Sequence, residues 1–439
     1  MLLSPERSAL VVVDVQERLA PVVHAHDRVV RNVGILLDSA SRLGIPTLAS
    51  EQYPKGLGAT VPAVRARLAD DAVVEKLHFS CTGEPGFMQR LDAFGRDQIV
   101  LTGMEAHVCV LQTALGLRSL GRKVYIVADA TIIPVDHEIY YSEKVMRLPC
   151  YQANDRKRIV AGRRPARVEV GLPENAFVYC SFNGMQKITQ RVFQRWMTIL
   201  GRVPDSVLWL LTGTDDTNAR LRIAAAEHGI SPERIVFAQR LPNPEHLARY
   251  PLADLFLDSM PYGAHTTAAD SLWMNVPVLT LPGRSFAARV CASVVRAAGV
   301  GELECRTPEA YIARAVELGQ NREKLAAIKA KLAAGRDSCL LFDTPRLVSH
   351  LEDLYRQMWS ELKRGELPIP DLRNLDVYHD IAVGLAIEDM ETLSDDAYVS
   401  LYRDKLAGWN SHYPIAPDDR LWRGSQSEDY SRSGRLAVA

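Results

Sequence analysis

The sequence predicts an α/β protein made of two doubly wound, Rossmann-like parallel-sheet modules followed by C-terminal helices. Three observations carry this. Short β-branched apolar runs alternate with amphipathic stretches in two separate series. The alternation breaks once, between Asp129 and Val170. The 439 residues also exceed a single domain of ~150 residues.

In the first series, strands are expected at Ala9–Val15, Pro46–Ser50, Ala72–Lys76, Gln98–Thr102 and Val124–Ala128. Helices are expected between them at Arg28–Leu43, Phe87–Phe94 and Val108–Leu120. Continuous apolar strands of this kind belong to parallel sheets covered on both faces. Residues 131–170 contain several prolines, a short helix expected at Tyr141–Met146 and a basic irregular run, Asn154–Arg167, so the domain boundary is set here.

The second series places strands at Phe177–Ser181, Val207–Thr212, Ile235–Ala238, Leu255–Leu257 and Val278–Leu281. Its helices are expected at Arg191–Gly201, Asn218–His228, Pro244–Tyr250 and from Thr267. Three helical stretches follow, at Phe286–Ala298, Pro308–Ala334 and Thr344–Arg364, and then a proline-punctuated tail from Glu366. The domains are therefore read as 1–130, 131–422 and a disordered tail at 423–439.

A balance of 52 basic against 53 acidic residues gives a net charge of -1, which supplies no electrostatic case for nucleic acid or an anionic membrane. Seven scattered cysteines without a C-x-x-C pair fit a reduced, cytoplasmic protein. The acidic residues Glu6, Asp14 and Glu17 interrupt any apolar leader, and no run reaches the ~20 apolar residues of a membrane span. A homo-oligomer is compatible with this composition.

Three polar residues follow expected strand ends in the first module: Asp14, Lys76 and Cys109. Open α/β sheets bind ligands at those ends. Cys109 also opens an expected helix, where unpaired N–H groups and the dipole favour a thiolate. In this reading Asp14 takes the thiol proton, Cys109 attacks a carbonyl or imine carbon, and Lys76 keeps the carboxylate oriented and ionised. Amides near Glu105–Cys109 would hold the oxyanion. The bland alternative is a turn residue, a solvated strand end and a buried thiol.

The stretches Val11–Gln16, Ser50–Gly58, Glu75–Ser80 and Gly103–Cys109 resemble, in order and spacing, the isochorismatase-like cysteine hydrolases. The resemblance implies a cysteine nucleophile with Asp and Lys partners at Cys109, Asp14 and Lys76, a small amide or enol-ether-type substrate, and a cis peptide at Met104–Glu105. Ser50–Gly58 lacks the Asp-x-His metal ligands of the nicotinamidase branch, so no metal is expected. The resemblance covers about the first 130 residues, so this module is read as truncated.

In the second module, the Gly-containing turn Pro261–Ala264 leads into a helix whose N-H groups would seat a diphosphate, with donors from His265, Thr266 and Thr267. Locally, Thr267 with Asp270 reads as a near capping box. His246 and Arg249 share a helical face and, with Lys187, could neutralise phosphate charge.

Tyr141–Pro149, Tyr151–Arg158, Ser181–Lys187, Glu245–Arg249, Gly263–Thr267 and Phe342 within Cys339–Thr344 are similar to the O-GlcNAc transferase/SPINDLY glycosyltransferases. This implies the nucleotide-sugar lobe of a GT-B glycosyltransferase. Lys187 and the His265–Thr267 helix start would contact the diphosphate and Asp270 the ribose, with His246 and Arg249 close to the nucleotide. A UDP-sugar enters as donor substrate, not cofactor, and a protein as acceptor. Gly184 and Asn243 leave uridine against guanosine open.

The expectation is a fusion of the two families in which nucleotide binding is weak and protein glycosylation slight, because the transferase family's N-terminal catalytic lobe is not recognised here. The alternatives are an active cysteine hydrolase with an inert transferase fragment, or a non-catalytic nucleotide-binding protein.

Overall fold

A computed structural model describes residues 5–22, 26–104, 109–120, 125–141, 144–152, 154, 156–365, 373–385, 387–390, 392–418 and 420–422. The chain divides into two compact units, residues 1–126 with 355–372, and residues 127–354 with 373–439. The disordered tail expected at 423–439 lies outside the described residues.

The first unit is built on β1 (Ser8–Val13), β2 (Thr47–Gln52), β3 (Val73–Lys76) and β4 (Gln98–Gly103). They form one sheet in the order β3-β2-β1-β4, parallel throughout. Side chains alternate across a strand. Leu10 and Val12 therefore pack with Val33, Leu37 and Ala40 of the His26–Arg42 helix, while Ala9, Val11 and Val13 pack with Phe87, Leu91 and Leu117. Burial of β1 on both faces is the physical origin of its unbroken apolar run.

The fifth strand expected in this sheet belongs elsewhere. β5 (Tyr125–Ala128) pairs with β6 (Lys144–Arg147) in a two-stranded sheet. The helix expected at Tyr141–Met146 is thus corrected: a 3-10 turn, Val135–Tyr140, leads towards strand β6. Val145 and Met146 are buried, and pairing with β5 outweighs the weak helical pattern.

Asp129 fastens this segment into the second unit. Buried to 4% exposure, its carboxylate accepts from the amides of Thr131, Ile132 and Tyr151 at 2.9, 2.9 and 2.7 Å, and from the Ser293 hydroxyl.

The second unit's main sheet comprises β7 (Phe177–Ser181), β8 (Ser206–Leu211), β9 (Ile235–Ala238), β10 (Leu255–Leu257) and β11 (Val278–Leu279). The order is β11-β10-β7-β8-β9, again parallel throughout. The stretch expected as one helix from Pro308 to Ala334 is two, Pro308–Gln320 and Arg322–Gly335. Asn321 ends the first and caps the second through its side chain to the Lys324 amide at 2.9 Å.

The tail from Glu366 is not irregular throughout. Helices at Leu375–Val383 and Asp395–Asn410 bring Tyr378, Ile381, Tyr402 and Leu406 into a cluster with Ile415, Leu421 and Trp422. Among the described residues no helix is long and apolar enough to cross a membrane.

Replacing Asp129 by Ala strands buried donors that each cost about 1–3 kcal/mol when unsatisfied. Denaturant unfolding of Asp129→Ala should show the second unit destabilised by about 3 kcal/mol or more. A loss under about 1 kcal/mol would contradict the anchoring role.

Candidate functional site

In each main sheet the strand order reverses beside the first strand, at β1/β4 and at β7/β10. Such switch points open a crevice at the C-terminal strand ends. Both sets of sequence-expected residues gather there.

In the first unit Asp14 follows β1 in a left-handed conformation, φ 54°, uncommon for a non-glycine residue. Neighbouring Gly103, at φ 151°, is required because a Cβ there would stand 2.1 Å from the Val13 carbonyl oxygen. The close approach lets the Met104 amide bond that oxygen at 2.9 Å, carrying the β4 loop past Asp14.

Lys76 Nζ lies 2.8 Å from Asp14 Oδ2, both side chains fully buried. The Ser50 hydroxyl donates to Asp14 Oδ1 at 2.7 Å. Cys109 is buried close enough to Asp14 for the carboxylate's charge to act on the thiol. Structure therefore joins Asp14, Lys76 and Cys109.

The resting thiol is not the thiolate that a helix dipole suggested. Cys109 and Val110 form a π-helical turn that runs directly into the helix Leu111–Ser119. Burial and the adjacent Asp14 push the Cys109 thiol up to about 12, outweighing the nearby Lys76. Cys81, wholly buried, is also pushed up by burial, while hydrogen bonds with Ser50 and Thr113 oppose this. The expected Met104–Glu105 cis peptide and the oxyanion amides involve residues 105–108, outside the described residues.

In the second unit, Lys187 follows β7 and donates to the Gly263 carbonyl at 2.8 Å, with its ammonium 3.8 Å from the Tyr262 ring centroid. Burial lowers its pKa to about 8. Tyr262 also stacks on His265 at 5.2 Å. Burial takes the His265 imidazole down to about 4, so it is neutral at pH 7. With Nε2 bonded to the Ala287 carbonyl at 3.2 Å, that nitrogen carries the proton and Nδ1 is the acceptor.

The helix here is Thr266–Trp273 with His265 as N-cap, which corrects the capping box expected from Thr267 and Asp270. The Thr267 hydroxyl instead donates to Asn183 Oδ1 at 2.7 Å, so its proton is committed. The amides of Thr266 and Thr267 stand in the first turn, where no intrahelical carbonyl serves them. Asp270 is buried and paired with Arg158, which orders it away from open solvent.

Arg249 is also inside: 2% exposed, it donates to the Gln239 carbonyl at 2.5 Å, bonds His246 Nδ1 and lies 4.9 Å from the Phe182 ring centroid. It supports His246 and does not face a ligand directly. Burial lowers its pKa to about 10.

Sequence reasoning missed Asp258. Wholly inside the protein, it accepts from the amides of Ser259 and Ala264 at 2.8 and 2.6 Å and from the Thr280 hydroxyl at 2.7 Å. These bonds shape the turn before the helix. It stands one residue past a strand, as Asp14 does, so the same strand-end rule would have found it. Asn183 was missed too; its Nδ2 donates to Ser259 Oγ at 2.8 Å. A cavity of about 600 Å³ opens beside Tyr262, lined also by Tyr140, Arg284, Phe286 and Tyr398.

Among the described residues one trio has metal-ligand spacing, Asp136, His137 and Asp395. Arg284 Nη1 lies 2.6 Å from Asp395 Oδ1, and burial together with Arg289 lowers the His137 pKa. A cation is already in place there.

Residues 8–138 match the model of the isochorismatase domain, and residues 152–351 that of glycosyl transferase family 41. The chain joins an isochorismatase-like module to a family 41-like glycosyltransferase lobe. A probable UDP-N-acetylglucosamine–peptide N-acetylglucosaminyltransferase SEC of Arabidopsis thaliana is 38% identical over 251 residues, 56% of this chain and 26% of the relative. The UDP-N-acetylglucosamine–peptide N-acetylglucosaminyltransferase of Caenorhabditis elegans is 38% identical over 209 residues, 48% of this chain and 18% of the relative. The chain thus spans about a quarter or less of the length of these curated relatives. A mutant Thermobaculum terrenum O-GlcNAc transferase superposes with a TM-score of 0.59 at 25% identity, covering 81% of this chain and 68% of that one.

Proposed function

We propose that the second unit of this fusion binds a UDP-sugar, UDP-N-acetylglucosamine by analogy with the names of its relatives, with transfer to a peptide acceptor slight. The observation that carries the reading is the β7/β10 crevice. There Lys187 and the helix start at Thr266 converge on a turn held by Asp258. A helix N-terminus plus a cation suits a diphosphate. His265 contributes as a neutral imidazole, and Thr267 through its amide. The cavity beside Tyr262 offers room for the sugar. The donor acts as substrate, and the reading calls on no metal or other cofactor.

Calorimetric titration with UDP tests this. Binding should be strongest below pH 8 and weaken as Lys187 loses its proton above about 8. Lys187→Met, removing a charge-assisted bond of about 1.5–3 kcal/mol, should weaken it by about tenfold or more. Absence of binding at pH 7, or equal affinity at pH 7 and 9, contradicts the reading.

A second reading concerns the first unit and is favoured by the dry Asp14, Lys76 and Cys109 set: a cysteine hydrolase of a small amide or enol-ether-type compound. The Cys109 sulfur bonds the substrate's electrophilic carbon while its proton passes to Asp14, the leaving group departs with a proton returned from Asp14, and water releases the product. A thiol held protonated next to a carboxylate suits proton transfer at the moment of attack. With p-nitrophenyl acetate, a burst of p-nitrophenolate near one equivalent per chain is expected, absent in Cys109→Ala. A burst of equal size in Cys109→Ala would remove Cys109 from the mechanism.

A further inference from the structure

The Lys76 cation has no hydrogen to spare. Its Nζ is 2.7 Å from Gln52 Oε1, 2.8 Å from Asp14 Oδ2, 3.1 Å from the Phe79 carbonyl and 3.2 Å from the His78 carbonyl. An ammonium has three hydrogens; Gln52 Oε1 and the Phe79 and His78 carbonyls accept them, and Asp14 Oδ2 is met as an ion pair. The side chain is fully buried. Lys76 therefore acts on Asp14 as a fixed charge and not as a group that meets substrate.

Gln52 is itself held in register. Its Nε2 donates to the Leu77 carbonyl at 3.0 Å, which turns Oε1 towards Lys76. The buried side chain of Gln16 clamps its backbone, accepting from Gln52 N at 2.8 Å and donating to Gln52 O at 3.1 Å and Gly58 O at 2.7 Å. The shortest of the four contacts to Nζ thus comes from the side chain anchored on both of its own sides.

We infer that Gln52 is a positioning residue that holds the Lys76 ammonium beside Asp14, so that the carboxylate stays the base facing Cys109. This rests on the hydrolase reading of the first unit. The titratable groups around the pair are Cys109 and Cys81. Glu51 on β2 is taken up by the Thr60 amide and hydroxyl at 2.6 and 2.7 Å, and His78 by Glu84 at 2.8 Å. A new charge at position 52 therefore acts on the Asp14–Lys76 pair.

The test measures the rate of p-nitrophenyl acetate acylation of the full chain against pH, alongside thermal melting, for wild type, Gln52→Glu and Gln52→Met. In Gln52→Glu a second carboxylate shares the cation and adds negative charge beside Asp14. Protonation of the site then becomes easier, and the acid-side midpoint should move up by about one pH unit. Gln52→Met keeps the volume and removes the acceptor, and should slow acylation by roughly tenfold to a hundredfold at pH 7 in a chain that still melts cooperatively, at a lower temperature because a buried donor loses its partner. A residue of purely structural importance would lower the melting temperature in both variants and leave the rate and the midpoint of the folded fraction where they were; that result overturns the inference. Absence of a burst in wild type sinks the hydrolase reading and the inference with it. A wild-type burst with both variants unchanged sinks the inference alone.

Discussion

Both candidate sites depend on one topological constraint, the reversal of strand order next to the first strand of a parallel sheet. Where β1 meets β4, and where β7 meets β10, loops leave the sheet towards opposite faces and a crevice opens between them. Everything functional hangs on those loops. The left-handed turn at Asp14, the glycine contact at Gly103 and the carboxylate bracing of the Asp258 turn each bring a strand end to the position the crevice demands.

The two crevices solve the problem of charge in opposite ways. The first removes a cation and an anion from water together. Breaking such a pair by removing one partner costs about 3–5 kcal/mol, whereas apolar replacement of both is often harmless. Stability alone therefore gives little reason for Asp14 and Lys76 to be there, and the adjacent thiol gives one. The second crevice keeps Lys187 half-buried against a carbonyl and a tyrosine face, with burial pulling its pKa down to about 8. That ammonium gains when an anion arrives. One site is finished without a ligand; the other is completed by one.

Much of this was legible in the order of residues. Asp14, Lys76, Cys109 and Lys187 lie just past apolar runs, and strand ends are where a parallel sheet puts ligands. Ser50, Gln52 and Asn183 were not legible as site residues, because an uncharged polar side chain declares its role through its partner, and the partners are distant in sequence. Arg249 read as a phosphate ligand because spacing shows that it shares a face with His246 but not that this face turns inward onto Phe182. The strand at Lys144–Arg147 was misread as helix because its partner, β5, had been assigned to the other sheet. The helices after Leu375 were hidden by flanking prolines, although Tyr378, Tyr402 and Leu406 supply a core for them.

Hydrogen–deuterium exchange of the whole chain, with and without UDP, tests the central claim most directly. Slowed exchange is predicted for amides in 183–187 and 259–268, with those of 8–16 and 98–104 unaltered. Exchange unchanged in the first two segments at saturating UDP, or protection confined to the first unit, would contradict a nucleotide crevice at β7/β10.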